Sequence, residues 1–415
     1  MTTTITPRST PATAAPSVTG RLFETDDFDF AARTALGHTV AGMSDIGRVL
    51  ATLRQITDGD PVSWYTAWHS AAEDHRTHAL AAAAAGHPDT AAWFHLAAAE
   101  AYDQALSFID GMPDDTVMLP TFRLHRQSWD GFVGCSGGRH LAIAVPYEGD
   151  SMPGYLLRPS ADGAPRPTVV VTNGSDGSLA GLWAYVARDA LARDWNVFVF
   201  DGPGQQSMLF EKDVPFRHDW EAVLTPVIDT LVGRPDVDAH ALLGYGISQG
   251  GYWLPRALAF EHRLIAAVVD GGVMDVGRAW FAHLPQPLSQ AYQAGNAELF
   301  NAMMTGGFKS GEAERTFAFR AKPYGITSPY ELFAQVAKFQ LRGVADQITT
   351  PLLVCDNESD QFFPGQPQEL YDALNGEKTY LRFTSDEGAE WHCEPLARGL
   401  VGVRMNEFFG DHLPA

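Results

Sequence analysis

Apolar residues recur at helical period in Ile46–Leu50–Leu53–Ile56 and again in Trp93–Leu96–Ala97–Ala101–Leu106. That spacing predicts helices and no strands between about Phe28 and Phe122. Asp58-Gly59-Asp60-Pro61 and Gly86-His87-Pro88-Asp89 interrupt the pattern as loops. Trp64, Tyr65, Trp68, Trp93, Phe94 and Tyr102 fall on these helices and are expected to pack one helix on another. From about Leu141 the period changes. His140–Glu148 alternates apolar and polar residues as a half-buried strand, and Gly154–Arg158 repeats this after a short turn. Six short apolar runs follow, separated by helical segments: Thr168–Thr172, Val197–Phe200, Ala241–Gly244, Ile265–Val269, Leu352–Cys355 and Thr379–Phe383. Eight strands in this order predict an α/β fold with a mostly parallel sheet flanked by helices on both faces. A longer helical stretch over 277–345 reads as an insertion.

Length and composition sharpen the division. A chain of 415 residues exceeds what one hydrophobic core usually serves. It is expected to divide into a disordered tail over 1–20, a helical domain over 21–125 that acts as a lid, and an α/β domain over 126–415. The tail is rich in Thr, Pro and Ala and lacks the apolar stretch of a secretory signal. With 29 Lys+Arg against 50 Asp+Glu, the net charge of −21 excludes a nucleic-acid binder, which must neutralise phosphates with a basic face. It also argues against anionic membrane surfaces, and the longest uninterrupted apolar run, Ala79 to Ala85, is far too short to span a bilayer. Cys135, Cys355 and Cys393 are too few and too scattered for a disulfide framework, and they include no C-x-x-C metal pair. The expected setting is therefore a reducing cytoplasm. The expected partner is a small-molecule substrate, with no metal or cofactor, and a homodimer is one allowed assembly.

Two Gly-x-Ser-x-Gly matches compete for the role of nucleophile. Gly134-Cys135-Ser136-Gly137-Gly138 leads into an extended segment, whereas Gly246-Ile247-Ser248-Gln249-Gly250 follows an apolar strand and opens a helix. A nucleophile elbow requires the second context, strand then sharp turn then helix, so Ser248 is the candidate and Ser136 a turn residue. The same glycines imitate a dinucleotide fingerprint, with Asp270 ending the next strand, but the spacing is not G-x-G-x-x-G and Ser248 would be unexplained. A serine hydroxyl needs a base and an orienting acid, which follow in the order Ser, Asp, His. The loop after Leu352–Cys355 offers Asp360, with Asp356 and Glu358 as alternatives, and the loop after Thr379–Phe383 offers His392. The oxyanion hole would combine the backbone N–H of Gln249 with one from Asn173-Gly174-Ser175-Asp176-Gly177, Ser175 being the expected donor. Asp275, just past a strand, is a candidate for substrate contact, as are Tyr245 and Trp253 beside the elbow.

These residues, in this order, resemble the α/β-hydrolase fold. Asp201-Gly202-Pro203-Gly204-Gln205, Arg217–Trp220, Gly244–Gly251 with Pro255-Arg256, Asp270-Gly271-Gly272, the Asp360–Pro364 segment and Gly388-Ala389 before His392-Cys393-Glu394 are most similar to one branch. That branch holds 2,6-dihydroxypseudooxynicotine hydrolase and the fungal heptaketide-shortening hydrolases, with FrsA-type proteins more distant. Residues 125–410 carry the likeness well, and the region before them corresponds more loosely to a helical lid. Gln205-Gln206-Ser207 departs from the pattern, since many hydrolases have Gly after the Gln. The resemblance implies a serine-type hydrolase acting on a carbonyl, by cleavage of a carbon–carbon bond beside a ketone or of an ester or amide. The triad does not choose among these, and acyl transfer or non-hydrolytic carbon chemistry is the alternative on the same scaffold.

Overall fold

The computed structural model describes residues 20–282, 284–307 and 311–414, so the tail expected over 1–20 lies almost wholly outside the described residues. Each alternating or β-branched run forms a strand: β1 (His140–Tyr147), β2 (Asp150–Leu157), β3 (Arg166–Thr172), β4 (Asn196–Phe200), β5 (Val237–Ile247), β6 (Ala266–Asp270), β7 (Leu352–Asn357) and β8 (Lys378–Phe383). They form one eight-stranded sheet in the order β1-β2-β4-β3-β5-β6-β7-β8. β2 runs antiparallel to both β1 and β4, and the pairs from β4 onward are parallel.

The two-residue period of the strands sorts their side chains into two cores. Val170, Phe198 and Leu242 point to one face, where they pack with Val223, Leu224, Ile228 and Leu254 from the helices Glu221–Val232 and Gly250–Leu258. Val169, Val171, Val197, Val199, Leu243 and Tyr245 point to the other, against Leu182, Ala190 and Met405. The last of these lies on the closing helix Arg398–His412. Both faces are covered, which is why the strands read as nearly continuous apolar runs.

Among the described residues, five α-helices stand ahead of the sheet: α1 (Asp26–His38), α2 (Ile46–Leu53), α3 (Pro61–Ala84), α4 (Pro88–Leu106) and α5 (Met118–Gly134). α3 begins where Asp60 accepts the Val62 N–H at 3.0 Å and Pro61 occupies the first turn, a position that needs no N–H donor. These helices have a core of their own, built on Phe28, Trp64, Trp68, Ala98 and Tyr102, with the Trp64 Nε1–H donating to the Gln104 carbonyl at 2.7 Å. Tyr65, Trp93 and Phe94 are only half-buried. α5 runs straight through position 125, so the helical block closes at Gly134 and not at the expected boundary. Between β6 and β7, five helices from Gly277–Ala282 to Pro329–Val336 form the inserted layer, which gathers Trp280, Phe281, Tyr292, Phe300 and Phe333 into an aromatic cluster.

The helical block sits on the sheet's loop end through specific contacts. A Cβ on Gly37 of α1 would fall 1.5 Å from the Pro395 carbonyl, so helix and loop touch backbone to backbone. Phe30 meets Phe362 edge-on at 6.0 Å, the Arg33 guanidinium lies over Trp391, and the Trp183 indole N–H donates to the Ala41 carbonyl at 3.1 Å.

Candidate active site

Ser248 ends the run of β5 at a turn where only small neighbours fit. Its φ is 54°, a left-handed conformation that a non-glycine residue adopts at a cost of about 1–3 kcal/mol. A Cβ on Gly246 would fall 2.5 Å from the Gly250 carbonyl oxygen, and one on Gly250 would fall 2.2 Å from that of Thr172. The flanking glycines are thus demanded by close backbone approach on both sides of the turn. The strain is held by hydrogen bonds from the Ser248 N–H to the Asp270 carbonyl (2.7 Å) and from the Gly251 N–H to the Ser248 carbonyl (2.8 Å).

Three loops converge there. Ser248 Oγ lies 2.9 Å from His392 Nε2, and His392 Nδ1 lies 2.9 Å from Asp360 Oδ2. The other oxygen of Asp360 accepts the backbone N–H groups of Phe362 (2.7 Å) and Phe363 (2.9 Å). Burial alone would raise the pKa of Asp360, but the facing His392 and these two amides outweigh it and hold the carboxyl below its ordinary range. Burial would lower that of His392, and the Asp360 charge overrides it so that the imidazole is more basic than usual. The two loops are stitched together, Ser359 N–H to the Glu390 carbonyl at 2.8 Å and Asn357 Nδ2 to that of Ala389 at 3.2 Å. The alternative acids are engaged elsewhere: Asp356 with Arg382 at 2.9 Å and Glu358 with the Ser385 N–H at 2.8 Å.

The loop after β3 packs against Ser248. Asn173 folds it into a closed turn, donating from Nδ2 to the carbonyls of Gly177 (2.6 Å) and Ser178 (3.3 Å) and accepting the Gly174 N–H at 2.8 Å. With the Gly174 amide taken, Ser175 carries the next donor in the chain. Gln205 fixes the base of this turn: its Nε2 donates to the carbonyls of Asn173 (3.0 Å) and Gly174 (2.9 Å), and its Oε1 accepts the Gly202 N–H (2.9 Å). Gln206 sits at a φ of 36° and donates to the Asp176 carbonyl at 3.0 Å. The role of Gln205 had a visible signal in the Asp201–Gln205 motif, but its partners lie some thirty residues earlier.

Three expected substrate residues lie elsewhere. Tyr245 is fully buried beneath the sheet's end, its hydroxyl donating to Asp270 at 2.6 Å and accepting from Arg398 at 3.1 Å. Trp253 is equally buried, stacked on Trp220 at 4.6 Å with its indole N–H on the Arg217 carbonyl. Asp275 accepts the Arg278 N–H at 3.2 Å ahead of the helix Gly277–Ala282, so its carboxylate caps that helix. Phe362 was not anticipated. Its ring is 41% exposed, 4.9 Å from that of His392, and with Phe30 it gives the site an aromatic rim. Ser136 is a turn residue, accepting the His140 N–H at 3.0 Å. Asp270 faces Tyr245 and Arg398 inside the core, which takes it out of the place a ribose-binding acid would need. Among the described residues no group of three or more His, Cys, Asp or Glu is arranged to hold a metal ion, and no helix is long and apolar enough to cross a membrane.

No protein-family model matches the chain. Its sequence is 28% identical over 376 residues to hydrolase LUC6 of a Fusarium species, covering 86% of this chain and 88% of the relative. It is 28% identical over 406 residues to the 20-hydroxy-prefusarin hydrolase FUS2 of Gibberella moniliformis, covering 93% and 89%. Among solved structures, 2,6-dihydroxy-pseudo-oxynicotine hydrolase superposes with a TM-score of 0.69 at 18% identity, over 91% of this chain and 95% of that one. AbyA5 superposes at 0.62 and 19%, over 93% and 95%. The chain is thus an enzyme with the α/β-hydrolase fold, similar in sequence to these fungal hydrolases and in fold to the pseudooxynicotine hydrolase.

Proposed function

We propose that the chain is a serine hydrolase that cleaves a carbonyl compound of largely apolar or aromatic character, working on a small molecule in the cytoplasm, alone or as a homodimer. The observation that carries this reading is the unbroken hydrogen-bonded series from Asp360 through His392 to Ser248, with the serine held at a strained turn. Asp360 accepts the Nδ1 proton of His392 and leaves Nε2 free to take the Ser248 proton. The Ser248 oxygen then attacks the carbonyl carbon, and the displaced electron pair becomes an oxyanion received by the amides of Gln249 and Ser175. Collapse expels the leaving group, which takes its proton from His392. Where that group is carbon, the same proton quenches the carbanion. Water, deprotonated by His392, then releases the acyl group as a carboxylic acid. The aromatic rim of Phe30 and Phe362 and the net charge of −21 favour uncharged aromatic substrates over strongly anionic ones. The relatives' own names, which specify hydrolases, support hydrolysis over acyl transfer.

The test is labelling with a fluorophosphonate and mapping of the modified peptide, followed by a screen of aryl ketones, β-diketones, esters and amides in ¹⁸O water. Modification at Ser248 and incorporation of ¹⁸O into the acid product are expected. Folded protein that stays unmodified at Ser248 overturns the nucleophile, and product without ¹⁸O turns the assignment to acyl transfer.

A further inference from the structure

The turn that carries the Ser175 amide is held from the lid as well as from the sheet. Ser178, at its far end, uses its hydroxyl twice: Oγ accepts the Gly181 N–H at 3.1 Å and donates its single proton to Asp103 Oδ2 at 2.7 Å. Asp103 lies on α4, 75 residues earlier. We propose that Asp103 is a positioning residue for the oxyanion hole, anchoring the Asn173–Ser178 turn to the helical lid. The proposal rests on the reading of Ser175 as an oxyanion donor.

Two further observations support it. Gln205 clamps only the first two carbonyls of the turn, and Asn173 ties the start of the turn to its end at Gly177 and Ser178. Gln206 holds the Asp176 carbonyl in the middle of the turn, and orientation of the far end at Ser178 against the helical block falls to the Ser178 hydroxyl. The second observation concerns what Asp103 faces. Its own helix presents Glu100, α1 presents His38, and the turn presents Asp176. His38 is already spent on Glu100 at 2.9 Å, and among the described residues no Arg or Lys forms an ion pair with Asp103. Burial, and then Glu100, push the Asp103 carboxyl up to about 7. A half-buried acid beside a second acid is a liability to folding that an apolar residue would remove. What the acid supplies is the acceptor for Ser178. On this account the lid is part of the machinery that receives the oxyanion, and not merely a cover.

The experiment measures fluorophosphonate inactivation of the full chain, with the maximal rate and the half-saturating concentration determined separately, alongside the melting temperature. Asp103→Ala should lower the maximal rate about 10–100-fold, the usual penalty for misplacing a catalytic group by an ångström. Half-saturation and melting temperature should stay close to wild type. Asp103→Asn keeps an acceptor oxygen for Ser178 and should restore the rate. It should also outpace wild type increasingly as pH rises through about 7, because wild-type ionisation there puts negative charge behind a turn meant to face an oxyanion. Ser178→Ala removes the same hydrogen bond from the other side and should match Asp103→Ala, which keeps the test intact should the Asp103 variant fail to fold. Wild-type rates in Asp103→Ala or Ser178→Ala, or an Asn variant as slow as the Ala variant, overturn the proposal. A wild-type chain that resists labelling at Ser248 overturns the nucleophile itself and this anchoring role with it.

Discussion

Gly174 presses on Ser248 so closely that a Cβ at position 174 would stand 2.9 Å from the Ser248 Cβ and 3.4 Å from its Oγ. The two loops that cooperate in the proposed mechanism are therefore packed closely against each other. Gly174→Ala inserts one methyl at that contact. Either the nucleophile or the oxyanion turn must shift, at a cost of about 1–3 kcal/mol of overpacking. The expected outcome is a labelling rate at Ser248 reduced about 100-fold with a modest loss of melting temperature. Unchanged labelling would show that the turn moves freely relative to the serine.

Gln205 offers a separate handle on the same turn. Removing its side chain strands the carbonyls of Asn173 and Gly174 and the Gly202 N–H without partners, each buried orphan costing about 1–3 kcal/mol. Gln205→Glu is the sharper variant, because it keeps the acceptor for Gly202 but sets a carboxylate against two carbonyl oxygens. It should fold less stably than Gln205→Ala and lose kcat with KM nearly unchanged, as measured on whichever ester the enzyme turns over. A change confined to KM would place Gln205 in substrate binding instead.

The sign of the pH dependence follows from the His392–Asp360 pair. His392 must be neutral to accept the Ser248 proton, and its pKa is raised above the ordinary 6.5 because Asp360 outweighs burial. The labelling rate should thus climb with pH through a midpoint above 6.5. Asp360→Asn removes the opposing charge and leaves burial dominant, so the midpoint should drop below 6.5, while the plateau falls about 10⁴-fold with loss of the correct tautomer. The stability linkage runs the other way from the activity. A raised histidine contributes stability that is fully present below 6.5 and lost as pH rises through its folded value. The lowered Asp360 contributes stability above 3.8 that is lost on acidification. Urea midpoints of wild type and Asp360→Asn across pH separate the two.

How far the sequence could be read depends on the range of the interaction. Hydrophobic period is local, so all eight strands and the helical block were visible, as were the breaks at Asp58-Gly59-Asp60 and Gly86-His87, although Pro61, Pro88 and Asp89 of the expected loops already belong to helices. The order of loops placed Ser248, Asp360 and His392 at adjacent strand ends, and that sufficed to expect their meeting. The direction of a side chain near a strand end was less legible. Tyr245 alternates with Gly244 and Gly246 and so shares the inward face of Leu243, which sends its hydroxyl into the core and not toward a substrate. Trp253 is likewise turned inward by the helix it sits on, against Trp220. Contacts between the helical block and the turns, such as Asp103 with Ser178 or Phe30 with Phe362, join residues far apart in sequence and leave no periodic trace.

Behind the triad lies a buried charge cluster that gives the clearest stability prediction. Arg398 donates to Asp270 (3.0 Å), Glu394 (3.0 Å), the Cys393 carbonyl (2.8 Å), the Tyr185 carbonyl (3.1 Å) and the Tyr245 hydroxyl (3.1 Å), and all of it is sealed from solvent. One cation thereby ties the last helix to the end of β6, whose Asp270 carbonyl holds the Ser248 N–H, and to the residues just after His392. Burial and the neighbouring Asp270 push the Glu394 carboxyl above its ordinary range, while Arg398 pulls the other way. Arg398→Met keeps the length of the side chain but leaves Asp270 as an uncompensated buried charge, which should cost about 3–5 kcal/mol in urea unfolding at neutral pH. Adding Asp270→Asn neutralises the stranded group and should recover much of that loss, a coupling beyond the sum of the single variants. Glu394→Gln, by contrast, keeps the size of the side chain, and because burial favours its neutral form the change should cost less than Arg398→Met. A Glu394→Gln variant as unstable as Arg398→Met would show that Glu394 is ionised and that Arg398 carries both acids. Recovery in the double variant without recovery of Ser248 labelling would separate charge balance from the geometry that Arg398 imposes on the loop behind His392.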